Sequence, residues 1–137
     1  MADKKLIFNL VTPQKQLVTE LPVDMVVLPA LLGEMGILPG HVQTLVQLGM
    51  GSLRYKQNGQ TEVFAVLGGF AEVVNDTVNV FAEGADLAGQ IDEEEEKQRI
   101  KALKDSLSNK DADIDFELAE LEIKQALTRM KVKKRRF

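Results

Sequence analysis

The placement of glycine and proline divides this chain of 137 residues into two parts. All 10 Gly and all 4 Pro lie at or before Gly89, and none occurs after it. Glycine and proline mark the turns between short strands, whereas helix interiors avoid both residues. We therefore predict a strand-rich first part followed by helices.

The first part contains nine runs rich in β-branched or aromatic residues, which are candidate strands. They are residues 5–11, 16–21, 23–28, 36–38, 45–48, 52–57, 61–67, 70–74 and 77–82. Asn58-Gly59 and Asn75-Asp76 predict two tight hairpins, because these residues tolerate the positive φ that a type I′ turn needs. Gly68-Gly69 precedes a strand and indicates close backbone packing or a bulge. Many short antiparallel strands predict a sandwich or a barrel.

From Asp92 onward the hydrophobic period changes from 2 to 3.6, which predicts helices. Asp92, with Glu95 three residues later, is a variant capping box, and either Asp113 or Asp115 is expected to cap a second helix. The expected apolar stripes are Ile100, Leu103 and Leu107, then Phe116, Ala119, Ile123, Leu127 and Met130. Such short stripes predict a helical hairpin that is marginal by itself and able to fold back or extend.

The chain has few side chains of the types that act in catalysis or bind metals. Zero Cys excludes disulfides, thiolate catalysis and Cys-ligated zinc or iron–sulfur clusters. The single histidine, His41, leaves little room for a His-based metal site or a Ser-His-Asp triad. We therefore predict a non-catalytic protein that holds neither a metal nor a cofactor.

Charge is strongly polarised in the second part of the chain. Residues 92–96 are five consecutive acids, whereas the last fourteen residues contain seven cations and no acid. This separation suggests different neighbours for the two ends. The cations near the end, here called the basic tail, are Arg129, Lys131, Lys133, Lys134, Arg135 and Arg136.

The basic tail has three interpretations. A solvated helix end that complements the helix dipole is the simplest. Attraction to nucleic acid or anionic lipid is weakly supported, because the net charge is −4 and only Phe137 lies among the cations as an aromatic residue. We predict no nucleic-acid partner. The third interpretation, contact with an acidic protein surface, depends on the resemblance described next.

The run G-E-M-G-I-L-P-G-H at residues 33–41 resembles the signature of the epsilon subunit of the rotary, proton-translocating ATP synthase. Three further blocks of this chain resemble the same family and occur in the same order: L-G-x-G-x-L (48–53), G-G-F-A-E-V (68–73) and V-x-V-x-A (78–82). The resemblance extends over essentially the whole chain. A nine-residue motif followed by ordered blocks is far more specific than a lone glycine motif.

The resemblance implies a flattened β-sandwich of about ten strands over residues 1–88 and a regulatory two-helix hairpin over 89–137. It implies a non-catalytic central-stalk subunit that couples rotation of the c ring to ATP synthesis. The sandwich would bind the gamma subunit and the c ring. The hairpin would extend along gamma into the hexamer of alpha and beta subunits and inhibit ATP hydrolysis.

The location and an alternative follow from the same reasoning. The N-terminus resembles neither a signal peptide nor a transit peptide. We therefore expect a bacterial protein on the cytoplasmic side of the inner membrane, held there peripherally through the complex alone. The alternative is a free-standing β-sandwich binding module with a helical oligomerisation arm, and co-purification with a gamma-like subunit separates the two.

The family resemblance also assigns roles to individual residues. Glu34 and His41, with Leu31 and Leu32 beside them, match positions near the polar loops of the c ring. The residues themselves leave an alternative open, in which His41 caps a local carbonyl and the leucines pack in the core. For the basic tail, the resemblance implies contact with the acidic loop of a catalytic beta subunit.

Ile91 and Asp92 stand where some bacterial relatives have the nucleotide-binding motif I/L-D-x-x-R-A, at the expected hinge and helix cap. In this chain the arginine position is Glu95 and the alanine position is Glu96. A carboxylate in place of a phosphate-pairing cation repels a triphosphate. We therefore expect no tight ATP binding at the hairpin.

Overall fold

The computed structural model describes residues 4–109 and 115–135. Within these ranges eight strands precede a short 3-10 turn, Ala88–Gln90, and the helices α1 (Glu93–Ser108) and α2 (Phe116–Lys134). Neither α1 nor α2, as described, is long and apolar enough to cross a membrane. The strands are β1 (Leu6–Val11), β2 (Gln16–Val23), β3 (Met25–Ala30), β4 (Gly33–Ile37), β5 (Thr44–Gln57), β6 (Gln60–Val74), β7 (Thr77–Ala82) and β8 (Ala85–Leu87).

The strands form one hydrogen-bonded path in the order β2-β1-β7-β6-β5-β3-β4, with β8 paired to β6. Every pairing is antiparallel except that of β1 with β7, which is parallel. The path folds over itself: the rings of Phe8 on β1 and Tyr55 on β5 lie 5.2 Å apart, although these strands are not hydrogen-bonded neighbours. The result is the predicted sandwich-like body followed by two helices.

The structure has eight strands, against about ten implied by the resemblance, because four of the nine candidate runs join in pairs to form two long strands and one further short strand, β8, is present. Runs 45–48 and 52–57 join in β5, and runs 61–67 and 70–74 join in β6. Glycines lie at each junction, and the pairing continues across them from Leu48 with Gly69 to Met50 with Leu67. Glycine therefore bends these strands without ending them. The short β8 lacks β-branched and aromatic residues, so composition alone did not predict it.

Both predicted hairpin turns are confirmed. Asn58 and Gly59 have φ of 52° and 80°, and Asn75 and Asp76 have φ of 48° and 57°. The pairs Gln57–Gln60 and Val74–Thr77 close these two-residue loops. The positive φ at both central positions is the condition for a type I′ turn, and it sets the register of β5–β6 and β6–β7.

The main core lies between the folded halves of the sheet and follows the two-residue period of the strands. On β1, Leu6, Phe8 and Leu10 are fully buried, while the residues between them are partly exposed. Tyr55 contacts both Phe8 and Phe64, and burial raises the pKa of its hydroxyl. Strands of alternating pattern thus supply a single rigid body.

The helices begin at capping residues predicted from the sequence. The Asp92 carboxylate accepts from the backbone N–H groups of Glu94 (3.0 Å) and Glu95 (3.2 Å). Asp115 accepts from the N–H of Leu118 at 3.1 Å, while Asp113, the other expected cap, lies outside the described residues. Each cap satisfies backbone donors that the first helical turn leaves without an intrahelical acceptor. The helices pack against each other as an antiparallel pair.

Gly69 confirms the expected close packing of the backbone. Its φ is 122°, and a Cβ atom there would overlap the Phe81 carbonyl oxygen and lie 2.9 Å from the Cα of Ala82. Both obstacles are backbone atoms of β7, so they have little freedom to move. Glycine is required here by contact as well as by conformation.

We predict that Gly69→Ala lowers the free energy of unfolding by about 2–3 kcal/mol, through overpacking and an unfavourable φ. Urea denaturation followed by circular dichroism measures this loss. Gly36→Ala is the matched control, because its Cβ would meet nothing within 4 Å and its φ is not positive. A change of less than about 0.5 kcal/mol, the range of ordinary surface substitutions, in both variants would contradict the prediction.

Candidate functional site

The C-terminal half of α2 lies on the outer surface of the sandwich. Val132 is buried in a small cluster with Ala65 and Ile91, against which Val63 and Ala88 also pack. Thr128 lies on the same side of α2 and contacts the sulfur of Met50 at 3.8 Å. The hairpin therefore adopts its folded-back arrangement, with its last turns docked on β5 and β6.

Glu34 on β4 lies between two arginine side chains. Arg135, at the end of α2, places Nη1 2.7 Å from Glu34 Oε1, and Arg54 of β5 donates to both carboxylate oxygens at 3.3 Å. Arg135 also donates to the Ser52 hydroxyl at 3.3 Å. Two residues expected to meet different partners, Glu34 and Arg135, thus bind each other in the folded-back state.

The two arginines have an electrostatic effect on Glu34. The hydrogen bond from Arg135, followed by that from Arg54, holds the pKa of the Glu34 carboxyl below its usual range. A lowered pKa means that the folded-back state favours the ionised carboxylate. The side chain of Glu34 keeps 39% of its surface exposed, so solvent screens the pair and its contribution is that of a surface ion pair.

A second set of ion pairs joins the basic tail to the acids at the start of α1. Arg129 lies 2.9 Å from Asp86 and 3.4 Å from Glu96, and Lys134 lies 3.2 Å from Glu93. Glu96 is buried and also accepts from Arg99 at 3.0 Å. The acidic run and the basic tail, whose separation suggested different neighbours, therefore neutralise each other in this state.

The remaining tail cations occupy different surroundings. Lys131 lines a groove between α2 and the β3–β4 turn, together with Leu31 and Lys124. Lys133 is exposed. Arg136 lies outside the described residues. Three of the six predicted tail residues, Arg129, Lys134 and Arg135, thus form ion pairs within this chain. The sequence did not predict these pairs.

The β3–β4 turn and the β4–β5 connection expose a set of large apolar side chains, here called the apolar lip. Leu32 is fully exposed, and Leu31 is 59% exposed. Core packing, the alternative for these two leucines, is therefore wrong. The lip comprises Leu31 and Leu32 in the turn, Leu38 and Val42 in the connection, and Leu45 at the start of β5.

His41 makes local contacts within the β4–β5 connection. Its backbone N–H donates to the Leu38 carbonyl at 3.1 Å, and its ring Nδ1 lies 2.8 Å from the Val42 carbonyl. The local carbonyl contact considered from the sequence is therefore present. A role for His41 in contact with another subunit stays a prediction.

The three expected hinge residues, Ile91, Asp92 and Glu95, line a cavity of about 390 Å³ where α1 meets the sandwich. Asp86 and Glu96 add two further carboxylates to its wall. Its two cations, Arg99 and Arg129, already form ion pairs with those acids. An anion entering this cavity would meet carboxylates and would compete for cations that are already paired.

Sequence reasoning missed Arg54, Ser52 and Asp86. Arg54 was recognisable as one of two cations in an otherwise strand-like run, but its partner depends on the register of β5 against β3 and β3 against β4. Glu34 and Arg135 are 101 positions apart in the chain. No local pattern predicts a contact across such a distance.

Comparisons of the sequence with a family model and with known proteins agree with one another. Residues 5–88 match the family model described as the beta-sandwich domain of the ATP synthase delta/epsilon chain. The ATP synthase epsilon chain of Elusimicrobium minutum is 47% identical over 109 residues, covering 80% of this chain and 81% of the relative. That of Bacillus velezensis is 40% identical over 124 residues, covering 90% and 93%.

Two solved structures share the fold at low sequence identity. A chain of the mitochondrial ATP synthase of Euglena gracilis has a TM-score of 0.70 at 23% identity, covering 95% of this chain and 78% of that one. A chain from the central stalk and c ring of the Tetrahymena thermophila mitochondrial enzyme has a TM-score of 0.58 at 13% identity, covering 97% and 96%. Both likenesses concern the fold alone.

We predict that Glu34 makes the docking of α2 dependent on pH. Because the pKa of Glu34 is lowered, its contribution is fully present at neutral pH and is lost as the pH falls below the ordinary carboxyl range and through the lowered pKa. Cross-linking of a Met50→Cys/Thr128→Cys pair measures docking, since the chain has no native cysteine.

Glu34→Gln in the same cysteine background is the control for all other titrating acids. It should cross-link less than the parent at pH 7, by an amount equivalent to about 0.2–1 kcal/mol, and the two should converge once the pH falls below the lowered pKa of Glu34. A difference that did not shrink as the Glu34 carboxylate was titrated with acid would show that Glu34 does not act through its charge.

We also predict that the chain binds no ATP with a Kd below about 100 μM, because four carboxylates line the hinge cavity. Calorimetric titration of the full chain with ATP tests this. Glu95→Arg replaces an anion by a cation at the position expected from the motif, so it should bind ATP more tightly than the parent. Low-micromolar binding by the unmodified chain would overturn the prediction.

Proposed function

Because this chain belongs to the delta/epsilon chain family of the ATP synthase, we propose that it couples c-ring rotation to ATP synthesis and inhibits ATP hydrolysis through its hairpin. It is a non-catalytic subunit of that membrane-associated complex. In this proposal the sandwich binds the gamma subunit and the c ring, and the hairpin is a regulatory unit. The division lies near residues 88 and 89, and the complex is that of a bacterial inner membrane, with this subunit on the cytoplasmic side.

The observation that best supports regulation is how little holds the hairpin to the sandwich. Burial of one valine side chain contributes about 1.5–3 kcal/mol, and each exposed ion pair about 0.2–1 kcal/mol. Val132 is the valine, and the pairs of Arg129 with Asp86 and of Arg135 with Glu34 are the ion pairs that join the hairpin to the strands. Contacts of this size are exchanged readily for those of a partner.

The hairpin also retains apolar surface that a partner would cover. Phe116 and Leu118, in the first turn of α2, are exposed, and so are Leu121 and Leu127 further along. These side chains remain available while the helix is folded back. An extended hairpin could bury them against gamma and the catalytic hexamer, which offsets the loss of the Val132 cluster.

The apolar lip supports the proposed contact with the c ring. Leu31 and Leu32 are exposed at a hairpin tip, and Glu34 lies two residues beyond on the same hairpin. This arrangement presents methyl groups and a carboxylate together. A polar loop that combines an arginine or lysine with apolar side chains is complementary to it.

We predict that deleting residues 131–137 raises the ATPase activity of the assembled enzyme roughly two- to tenfold, because several weak cationic contacts with the catalytic hexamer are lost together. The measurement is steady-state ATP hydrolysis by enzyme reconstituted with the full-length or the shortened chain. Hydrolysis that stays equally suppressed would refute inhibition by the tail.

Val132→Ala distinguishes inhibition from simple detachment of the hairpin. It removes about 1 kcal/mol or more of packing on the sandwich but leaves every tail cation in place. The population should therefore move toward extension, and hydrolysis should decrease. If Val132→Ala and the deletion both raised hydrolysis, the folded-back state itself would be the inhibitory one, contrary to the proposal.

A further inference from the structure

We propose that Glu34 links docking at the apolar lip to release of the hairpin, because the same carboxylate binds Arg135 in the folded-back state and an incoming cation in the docked state. This inference rests on the proposed contact with the c ring. It adds a regulatory relation between two surfaces that are otherwise separate: the part of the lip at the β3–β4 turn, and the docking site of α2.

The geometry places both occupants at one point. Glu34 lies opposite Pro29 in the β3–β4 hairpin, and Pro29 lies close to Gly51 of β5. Arg135 reaches this row from α2 and contacts both Glu34 and the Ser52 hydroxyl. The Arg135 side chain therefore reaches from the surface of β5 to β4, the edge strand that follows the lip residues Leu31 and Leu32.

The balance of charge favours exchange over addition. One carboxylate already serves two guanidinium groups, so a third cation within about 4 Å would add repulsion without a further anion. Arg54 is anchored in the middle of a sheet and is only 20% exposed, whereas Arg135 is 48% exposed and terminates a helix. Arg135 is consequently the cation that leaves.

Arg54 also keeps the free-energy cost of exchanging Arg135 for another cation small. When Arg135 departs, Glu34 retains its two hydrogen bonds from Arg54 and is not left as an uncompensated charge. The difference between the two states is then that of a surface ion pair, which is small enough for a partner to reverse. Val132 and Lys134 still hold α2 when the Arg135 contact is lost. Occupation of the lip therefore raises the fraction of molecules in which the hairpin is released, without releasing all of them.

The chemistry of the site defines the partner. Glu34 requires a cation, and the exposed side chains of Leu31 and Leu32 require apolar surface next to it. The partner is a protein loop with an arginine or lysine beside aliphatic side chains. Reciprocity requires that Arg135 weaken binding of this loop by the same factor by which the loop weakens docking of Arg135.

The test measures binding of the full chain to a detergent-solubilised complex of gamma and c ring from the same enzyme. Arg135→Gln should bind roughly two- to fivefold more tightly than the parent, because the competing cation is absent. Lys133→Gln removes the same charge from an exposed neighbour and should bind like the parent. With Glu34→Gln already present, Arg135→Gln should have no effect.

A second readout follows the hairpin itself. Addition of the gamma and c-ring complex should lower cross-linking of the Met50→Cys/Thr128→Cys pair by the same factor, and less so when Glu34→Gln is present. If the parent binds but Arg135→Gln and Lys133→Gln both match it, the competition is wrong and the proposed function stands. Equal gains from both variants also overturn it, as a general charge effect. If the parent does not bind, the proposed contact is wrong and the inference falls with it.

Discussion

The structure depends on an ionic contact between the two ends of its second part. A hairpin of two short helices buries too little apolar surface to be stable alone, so it requires either the sandwich or a partner. Here the acids that begin α1 and the cations that end α2 approach each other over the outer surface of β5 and β6. The Lys134–Glu93 pair is solvent-exposed, so its strength is modest and depends on ionic strength, whereas the Arg129–Glu96 pair is largely buried. The same ionic contacts thus stabilise the folded-back hairpin and allow its docking to be reversed.

The sandwich supplies the opposite property. The long hairpin of β5 and β6 bends at glycines while it keeps one register from end to end, so it contributes to both halves of the body. Gly69 lets β7 approach at backbone contact, and fully buried side chains fill the interior. A body built in this way transmits force without deforming. In the proposed function, rigid docking belongs to the sandwich and adjustable inhibition to the hairpin.

The parts that could be predicted from the sequence depend on local chemistry. Turn residues with positive φ determined both hairpins, and Asp92 and Asp115 began the helices as expected. The long strands were divided wrongly, because a glycine that bends a strand has the same local signal as one that ends it. The Glu34–Arg135 pair could not be predicted, since it depends on several strand registers and on the direction of α2 together.

The parallel pairing of β1 with β7 determines the order in which the molecule can be made. β1 is synthesised before the other described strands, yet one of its two neighbouring strands is β7, at residues 77–82. The early strands must therefore wait with an unpaired edge until most of the sandwich has been synthesised, and contacts this distant along the chain form slowly. The helices emerge after the strands, when the sandwich on which they dock has already been synthesised. Their attachment to it is thus a late, separate step of biogenesis.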